Sequence, residues 1–301
     1  MDIAFRELDF EKDAKAVVNL INENLKSGFT EDILKWKHLY GAFGPSHNVI
    51  AVDGEKIVAV VFAMRYNYIN GKGDLIKGIR TFDGCTDSNY RGRGIFKKLM
   101  RACVEKFSMD YDFLMANPNE ASFAEHIKLG YVEPEFDYYY RFGFVNPFGI
   151  NYVGNIKDFK KTPPKKNIYN TELIYKGEQF ITGNSLRFLN WRYQPENYIV
   201  KRIIIDKTET YISYRKIRKK GLSVLVLCDF YGNKKYLEDI ARTICKIERT
   251  YLIYYLDNSM NKNLNLVFSR QDKRAVIVFK VNDFVLPNNL MVALGDLEGR
   301  L

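Results

Sequence analysis

Apolar and polar residues in the first half of the chain switch repeatedly between two periods. Ile3 to Leu8 reads as a short strand, and Lys12 to Leu25 gathers Ala14, Ala16, Val17, Val18, Leu20 and Ile21 on one helical face. Thr30 is placed to cap a helix through Ile33, Leu34 and Trp36, with Glu31 and Asp32 in its first turn. Val49 to Val52, the turn signal Asp53-Gly54 and Lys56 to Tyr66 predict a β-hairpin. Asn70-Gly71 and Gly73 turn the chain again before a long predicted strand, Leu75 to Thr86. The spacing of Ile95, Leu99, Met100, Cys103 and Val104 predicts a helix through Phe107. Tyr111 to Ala116 is the next strand, Asn119 to Leu129 a helix stopped by Gly130, and Tyr131 to Phe142 a final, tyrosine-rich strand.

A weaker echo of this order follows. The only two tryptophans, Trp36 and Trp191, stand 155 residues apart in similar frames, each ahead of a strand pair; the second pair is Tyr198 to Ile205 with Thr210 to Lys216. Gly221 to Asp229 then matches the strand ending at Thr86, with Cys228 opposite Cys85. Lys234 to Glu248 reads as a helix, Tyr251 to Leu256 as a strand, and Ala275 to Val281 and Leu290 to Leu294 as closing strands. Between the halves lies a basic connection, Lys157 to Lys166, containing Pro163-Pro164. The expectation is an α/β (α+β) protein with a mixed central sheet and flanking helices, written twice, in domains 1–150 and 151–301.

Composition narrows the class. Of 301 residues 47% are hydrophobic and 15% aromatic, enough for a full core and too many for a disordered polymer. Cys85, Cys103, Cys228 and Cys245 show no paired spacing, which argues against a disulfide framework and a zinc site and favours a reducing compartment. Charges in the first residues argue against a signal peptide, and no run approaches the ~20 apolar residues of a membrane span, so a cytoplasmic location is expected. The net charge of +10 is unevenly placed. Residues 1–150 carry 19 basic and 21 acidic side chains, net −2, and residues 151–301 carry 27 and 15, net +12.

One loop carries chemistry. Between a strand and a helix stands Arg91-Gly92-Arg93-Gly94-Ile95-Phe96. Such a junction aims backbone N–H groups and the positive end of a helix dipole at whatever lies in front, and the two glycines let oxygens approach. The spelling fits neither the three-glycine dinucleotide pattern nor the Gly-Lys-Ser/Thr phosphate loop. It resembles the Gln/Arg-x-x-Gly-x-Gly/Ala loop of the GNAT superfamily of acyl-CoA-dependent N-acyltransferases, with Arg91 and Gly94 in place and Phe96 departing from the usual small residue. The order of elements over residues 1 to 142 matches too, including Lys128-Leu129-Gly130-Tyr131 after the last helix; the second half matches by architecture only and lacks the loop.

The resemblance implies an acyl-CoA, expected to be acetyl-CoA, lying between the fourth and fifth strands, with its pyrophosphate on residues 91–96 and its pantetheine arm on the backbone of Cys85 and Thr86. It implies that Asn119 contacts that arm, and that an amine attacks the thioester directly. The position usual for the acid tyrosine is His126, whose imidazole can donate a proton near neutrality. Asp83 is the nearest carboxylate to the usual base, with Asp87 and Glu120 weaker. Tyr131 and Tyr138-Tyr139-Tyr140 read as sheet-packing residues, Trp36 and Trp191 as core anchors, and Arg215 to Lys220 as a hairpin tip. The expected acceptor is a primary amine of a small metabolite or amino sugar, anionic if the basic second half helps to bind it. The competing readings are a non-catalytic acyl-CoA sensor and a nucleic-acid binder; no recognition helix gathers the basic residues, which argues against the latter. Aminoacyl transfer from tRNA would not need the intact loop.

Overall fold

The computed structural model describes residues 3–105, 111–135, 137–146, 148, 154–163, 171–258, 264, 266, 268–281 and 285–297, with only the backbone at Val104 and Ala121. The expected helix end at Phe107, the boundary near residue 150, and Pro164 to Lys166 lie outside the described residues. Among the described residues no helix is long and apolar enough to cross a membrane.

The first half forms strand β1 (Ile3–Arg6), helices α1 (Ala14–Leu25) and α2 (Glu31–His38), and the hairpin β2 (His47–Asp53) and β3 (Lys56–Arg65). Thr30 caps α2 as expected, its hydroxyl accepting from the Ile33 N–H at 3.2 Å. The expected strand Leu75 to Thr86 is divided. Short strands β4 (Tyr68–Ile69) and β5 (Leu75–Ile76) form a small sheet with β10 (Ile181–Thr182), and β6 (Gly78–Thr86) starts afresh. Gly78 marks the break: a Cβ there would lie 2.4 Å from the Tyr66 carbonyl oxygen and 2.6 Å from the Phe113 ring. Helix α3 (Ile95–Glu105), strand β7 (Phe113–Ala116) and helix α4 (Glu120–Lys128) complete the series.

The predicted strand Tyr131 to Phe142 also divides, because Pro134 cannot donate to a ladder. Val132 bridges to Phe279 in the first sheet, while β8 (Tyr138–Phe144) crosses into the second. The second half contributes β9 (Asn155–Asp158), α5 (Leu186–Arg192), β11 (Tyr198–Ile205), β12 (Thr208–Lys219), β13 (Leu222–Tyr231), α6 (Leu237–Ile247), β14 (Leu252–Asn258), β15 (Phe268–Ala275), β16 (Val278–Val281) and a short helix α7 (Leu294–Leu297). Leu290 to Leu294, expected as a closing strand, makes only a bridge at Leu290 before turning into α7, where Asp296 accepts from the Ala293 N–H at 2.8 Å.

The sheets run β1-β2-β3-β6-β7-β16 and β15-β8-β14-β13-β12-β11-β9. Each contains one parallel pair, β6 with β7 and β13 with β14, amid antiparallel neighbours. The halves exchange a strand: β8 lies beside β14 in the second sheet, and β16 lies beside β7 in the first. Helix α3 buries Ile95, Leu99, Met100 and Cys103 on one face of the first sheet, and α1 covers the other with Val17, Leu20 and Ile21. Helix α6 covers the second sheet in the same way with Ile240, Ala241 and Ile244. A further cluster, rich in aromatic residues, joins the halves through Trp36, Tyr66, Phe188, Trp191 and Tyr198.

Candidate active site

Strand β6 stays with β7 for only three residue pairs, Gly78–Phe113 to Arg80–Met115. Beyond Arg80 the two diverge and β6 bulges. Val60 still faces Cys85 and Phe62 faces Phe82, so Asp83 and Gly84 together oppose Val61. Asp83 takes a left-handed φ of 47°, a conformation few non-glycine residues adopt. Gly84 lets the Phe96 ring come close: a Cβ there would lie 2.9 Å from it and push the ring aside. The resulting cleft holds about 640 Å³, and Asp83, Phe96, Asn119 and His126 all line it. Arg215 and Lys273 of the second half line it as well.

Asp83 is not a free carboxylate. It accepts from Lys37 Nζ at 2.7 Å and pairs with His38 Nε2 at 2.9 Å, and all three side chains are buried. Burial alone would raise its pKa, but the Lys37 charge and the His38 hydrogen bond outweigh burial and bring it to about 2. Burial lowers His38 to about 4 against the opposing pull of Asp83, so its imidazole is neutral. The ring stacks on Phe62 at 3.8 Å between centroids, and Nδ1 meets Ser46 Oγ at 3.1 Å. Ser46, His38 and Asp83 mimic a nucleophilic triad in composition only, since a carboxylate already neutralised by a lysine holds a backbone bulge. The general base expected at Asp83 is therefore at odds with its surroundings: a carboxylate near 2 binds a proton too weakly to take one from an ammonium.

The loop is built for open approach. Gly92 and Gly94 have φ of 76° and 70°, and a Cβ at either would meet nothing within 4 Å. Conformation rather than crowding thus calls for glycine there, and the space before the loop is free. Arg91 ties the loop down, donating from Nε to the Thr86 carbonyl at 3.2 Å and from Nη2 to Asn24 Oδ1 at 2.8 Å. Arg93 donates to the Asn89 carbonyl at 3.0 Å and lies over the Tyr90 ring. Ile95 packs into the α3 core. Cys85 turns the other way, its thiol toward the Leu20 carbonyl and pushed up to about 12 by burial, which leaves it inert as a nucleophile. The buried Thr86 hydroxyl has no hydrogen-bond partner among the described residues.

Asn119 caps α4, accepting from the Ser122 N–H at 3.0 Å. One turn on, His126 Nδ1 lies 2.8 Å from the Ser122 carbonyl. A carbonyl only accepts, so Nδ1 carries the proton and the lone pair sits on Nε2. Burial lowers the pKa, and Tyr131 stands edge-on to the ring at 5.1 Å. Near neutrality this imidazole is an acceptor. The arrangement suits a base better than the acid expected at this position.

A strand pair splayed at a bulge, followed by a glycine loop opening a helix, decides the architecture. The fold is that of the GCN5-related N-acetyltransferases. A GCN5-related N-acetyltransferase from Anabaena variabilis superposes with a TM-score of 0.69 at 11% identity over 93% of this chain and 73% of its own. Eis1 from Mycobacterium abscessus gives 0.59 at 9% identity over 93% and 73%. Saccharomyces cerevisiae N-myristoyltransferase, solved with myristoyl-CoA bound, gives 0.54 at 12% identity over 85% and 76%. No protein-family model and no curated protein matches the chain by sequence.

The second half carries the same splay, closed. Strand β13 bulges at Cys228, next to Asp229, and Tyr193 hydrogen-bonds Asp229 much as His38 bonds Asp83. Here residues 291–296 lie against the bulge. Gly295 comes so near that a Cβ would lie 2.7 Å from Asp229 Oδ2, and Arg192 donates to its carbonyl. The space left is about 70 Å³.

Lys37, His38, Arg215 and Lys273 escaped the sequence reading. Lys37 and His38 looked like ordinary polar positions of a helix, and only their meeting with Asp83, some 45 residues on, gives them a role. Arg215 was expected in a solvated hairpin tip; the tip is Lys220-Gly221, while Arg215 lies half-buried five residues earlier. Lys273 is aimed by a second bulge, at Asp272, which pairs it with Tyr140.

Proposed function

We propose that this protein is an acyl-CoA-dependent N-acyltransferase that passes an acetyl group directly to a primary amine in the first-half cleft. The observation that carries the reading is the shared cleft: the β6–β7 splay, the Asp83 bulge, Phe96 at the start of α3 and His126 all border one space. The open loop at Gly92 and Gly94 would hold the pyrophosphate on backbone N–H groups at a helix N-terminus. The pantetheine arm would lie along β6 near Cys85 and Thr86, with Asn119 beside it. When bound, the cofactor supplies the activated acyl group as a thioester.

The chain's own work is then threefold. Beyond Arg80 β6 no longer pairs with β7, and backbone N–H groups of β6 at the bulge would stabilise the carbonyl oxygen on which charge develops. His126 Nε2 takes a proton from the attacking amine, directly or through water. Lys37 and His38 hold Asp83, and through it the bulge, so they are positioning residues. The second half keeps the same frame with its splay filled by residues 291–296, which supports two copies of one fold, of which residues 1–150, less the exchanged strand β8 and completed by β16, form the cofactor-binding copy.

One observation favours a second reading, an acyl-CoA sensor without turnover: the Asp83 carboxylate is held by Lys37 and His38 and is not available as a base. Release of CoA from acetyl-CoA, measured against a panel of primary amines, separates the two. Amine-stimulated release that falls in Arg91→Glu and His126→Ala supports transfer. Binding with no stimulated release by any amine supports the sensor, and no binding of acetyl-CoA overturns both.

A further inference from the structure

On the α3 side the β6–β7 splay is closed by a wall of apolar side chains. Helix α3 brings Phe96 and, one turn on, Met100 to the cleft, where Val61 of β3 and Ala116 at the end of β7 also line it. These four pack in one cluster; Val61, Met100 and Ala116 are buried and Phe96 is half-buried. Gly84 fixes where the ring lies. A Cβ on Gly84 would stand 2.9 Å from Phe96 Cε2, 3.4 Å from Cζ and 3.4 Å from Val61 Cγ2, so the ring rests on bare backbone at the bulge with the valine beside it. A wall packed this closely takes an extra methylene only by displacing a side chain.

The ring's position in the chain matters as much as its packing. In the acyltransferase reading the pyrophosphate sits at Gly92 to Gly94 and the pantetheine arm runs along Cys85 and Thr86. Phe96 follows the first site by two residues and touches Gly84, the residue before the second. Its ring therefore lies where the arm ends and the acyl group begins. Beyond the thioester carbonyl an acyl chain has two directions open to it. Toward α3 it meets Phe96 and Met100, and away from α3 it runs past Phe82 toward Phe29, along the part of the cleft that the amine would use.

Resting on the acyltransferase reading above, we propose that Phe96 is a specificity-determining residue, its ring against Gly84 limiting the transferred group to a short one, acetyl or propionyl. Acetyl places only a methyl group beyond the carbonyl and fits before the wall. Longer chains must displace the ring or occupy the place of the acceptor.

The test titrates CoA, acetyl-CoA, butyryl-CoA and hexanoyl-CoA into the full chain by calorimetry, beside Phe96→Ala and Phe96→Leu. It needs no acceptor. A chain that enters an apolar pocket gains about fourfold in affinity per methylene, so a site with room for hexanoyl would bind it roughly a hundredfold tighter than acetyl. In the native chain hexanoyl-CoA should bind no tighter than acetyl-CoA. In Phe96→Ala the hexanoyl-over-acetyl affinity ratio should rise about tenfold or more, and in Phe96→Leu, which keeps an apolar contact with α3, it should rise by less. If the alanine variant does not fold, the leucine variant decides by the same ratio. A native chain that already binds hexanoyl-CoA about tenfold tighter than acetyl-CoA overturns the proposal. So does an unchanged ratio in the variants, including the case in which all four ligands weaken alike, which would make Phe96 a packing residue only. Failure of the native chain to bind any of the four would instead strike the acyltransferase reading.

Discussion

The indole N–H of Trp36 donates to the backbone carbonyl of Trp191 at 2.8 Å, and the indole N–H of Trp191 donates to the carbonyl of Trp36 at 3.0 Å. The rings lie 5.9 Å apart, buried where the two halves meet. A reciprocal bond between two tryptophans 155 residues apart requires the two short helices to face each other across a local twofold relation. The exchange of β8 for β16 fits the same relation.

This pair couples the halves. Trp36→Phe keeps an apolar ring but leaves the Trp191 carbonyl buried without its donor, which costs about 1–3 kcal/mol. Urea unfolding followed in parallel by far-UV circular dichroism and by the fluorescence of the remaining tryptophan should give one coincident transition at lower urea. Two separated transitions in the native chain would show that the halves do not unfold together.

The Lys37–Asp83–His38 group makes stability sensitive to acid. His38 is held neutral with a folded pKa of about 4 against an ordinary 6.5, so the unfolded chain binds the extra proton and stability falls as pH drops from 6.5 toward 4. At about 1.4 kcal/mol per pKa unit, the loss approaches 3 kcal/mol. Asp83, depressed from 3.8 to about 2, adds a further loss as pH falls between those values. Thermal unfolding between pH 7 and 4.5 should show the first part, and His38→Asn should flatten that slope while lowering stability at pH 7.

The loop glycines are conformational. Ala at position 94 would have to adopt a φ near 70°, a strain of about 1–2 kcal/mol, although no atom of the chain blocks its Cβ. Gly94→Ala should therefore weaken acetyl-CoA binding by roughly tenfold or more, with a smaller effect on melting temperature. An unchanged dissociation constant would show that the cofactor does not use this loop.

His126 should set the acid limb of the rate profile. Because burial lowers its pKa and Ser122 fixes the proton on Nδ1, activity should fall toward acid with an apparent pKa below 6.5. His126→Gln should reduce kcat by about 10²-fold or more with acetyl-CoA affinity retained, and should abolish that limb. A profile that keeps the limb in the variant assigns the base elsewhere.

Much of the fold was legible, and the reasons are local. Thr30, Gly130 and the turn at Gly54 declare their elements through caps and turns that involve only neighbours. The Arg91 to Phe96 loop is equally local. The strand exchange was not legible, because Tyr138 to Phe144 has the same alternation whether it closes the first sheet or the second. Asp83 was found as a carboxylate, but its true state depends on Lys37 and His38, brought in by a different helix. Arg215 and Lys273 were beyond reach for the same reason: each belongs to the other half, and only the packing of the two sheets brings them to the cleft. The filled second splay depends on where residues 291–296 fold back, which no periodicity announces.

Titration of acetyl-CoA into the native chain by calorimetry, beside Arg91→Glu, tests the central claim most directly. One molecule should bind per chain, since the second splay is filled, and the variant should bind at least tenfold more weakly. No saturable binding by the native chain, or equal affinity in the variant, would contradict the account.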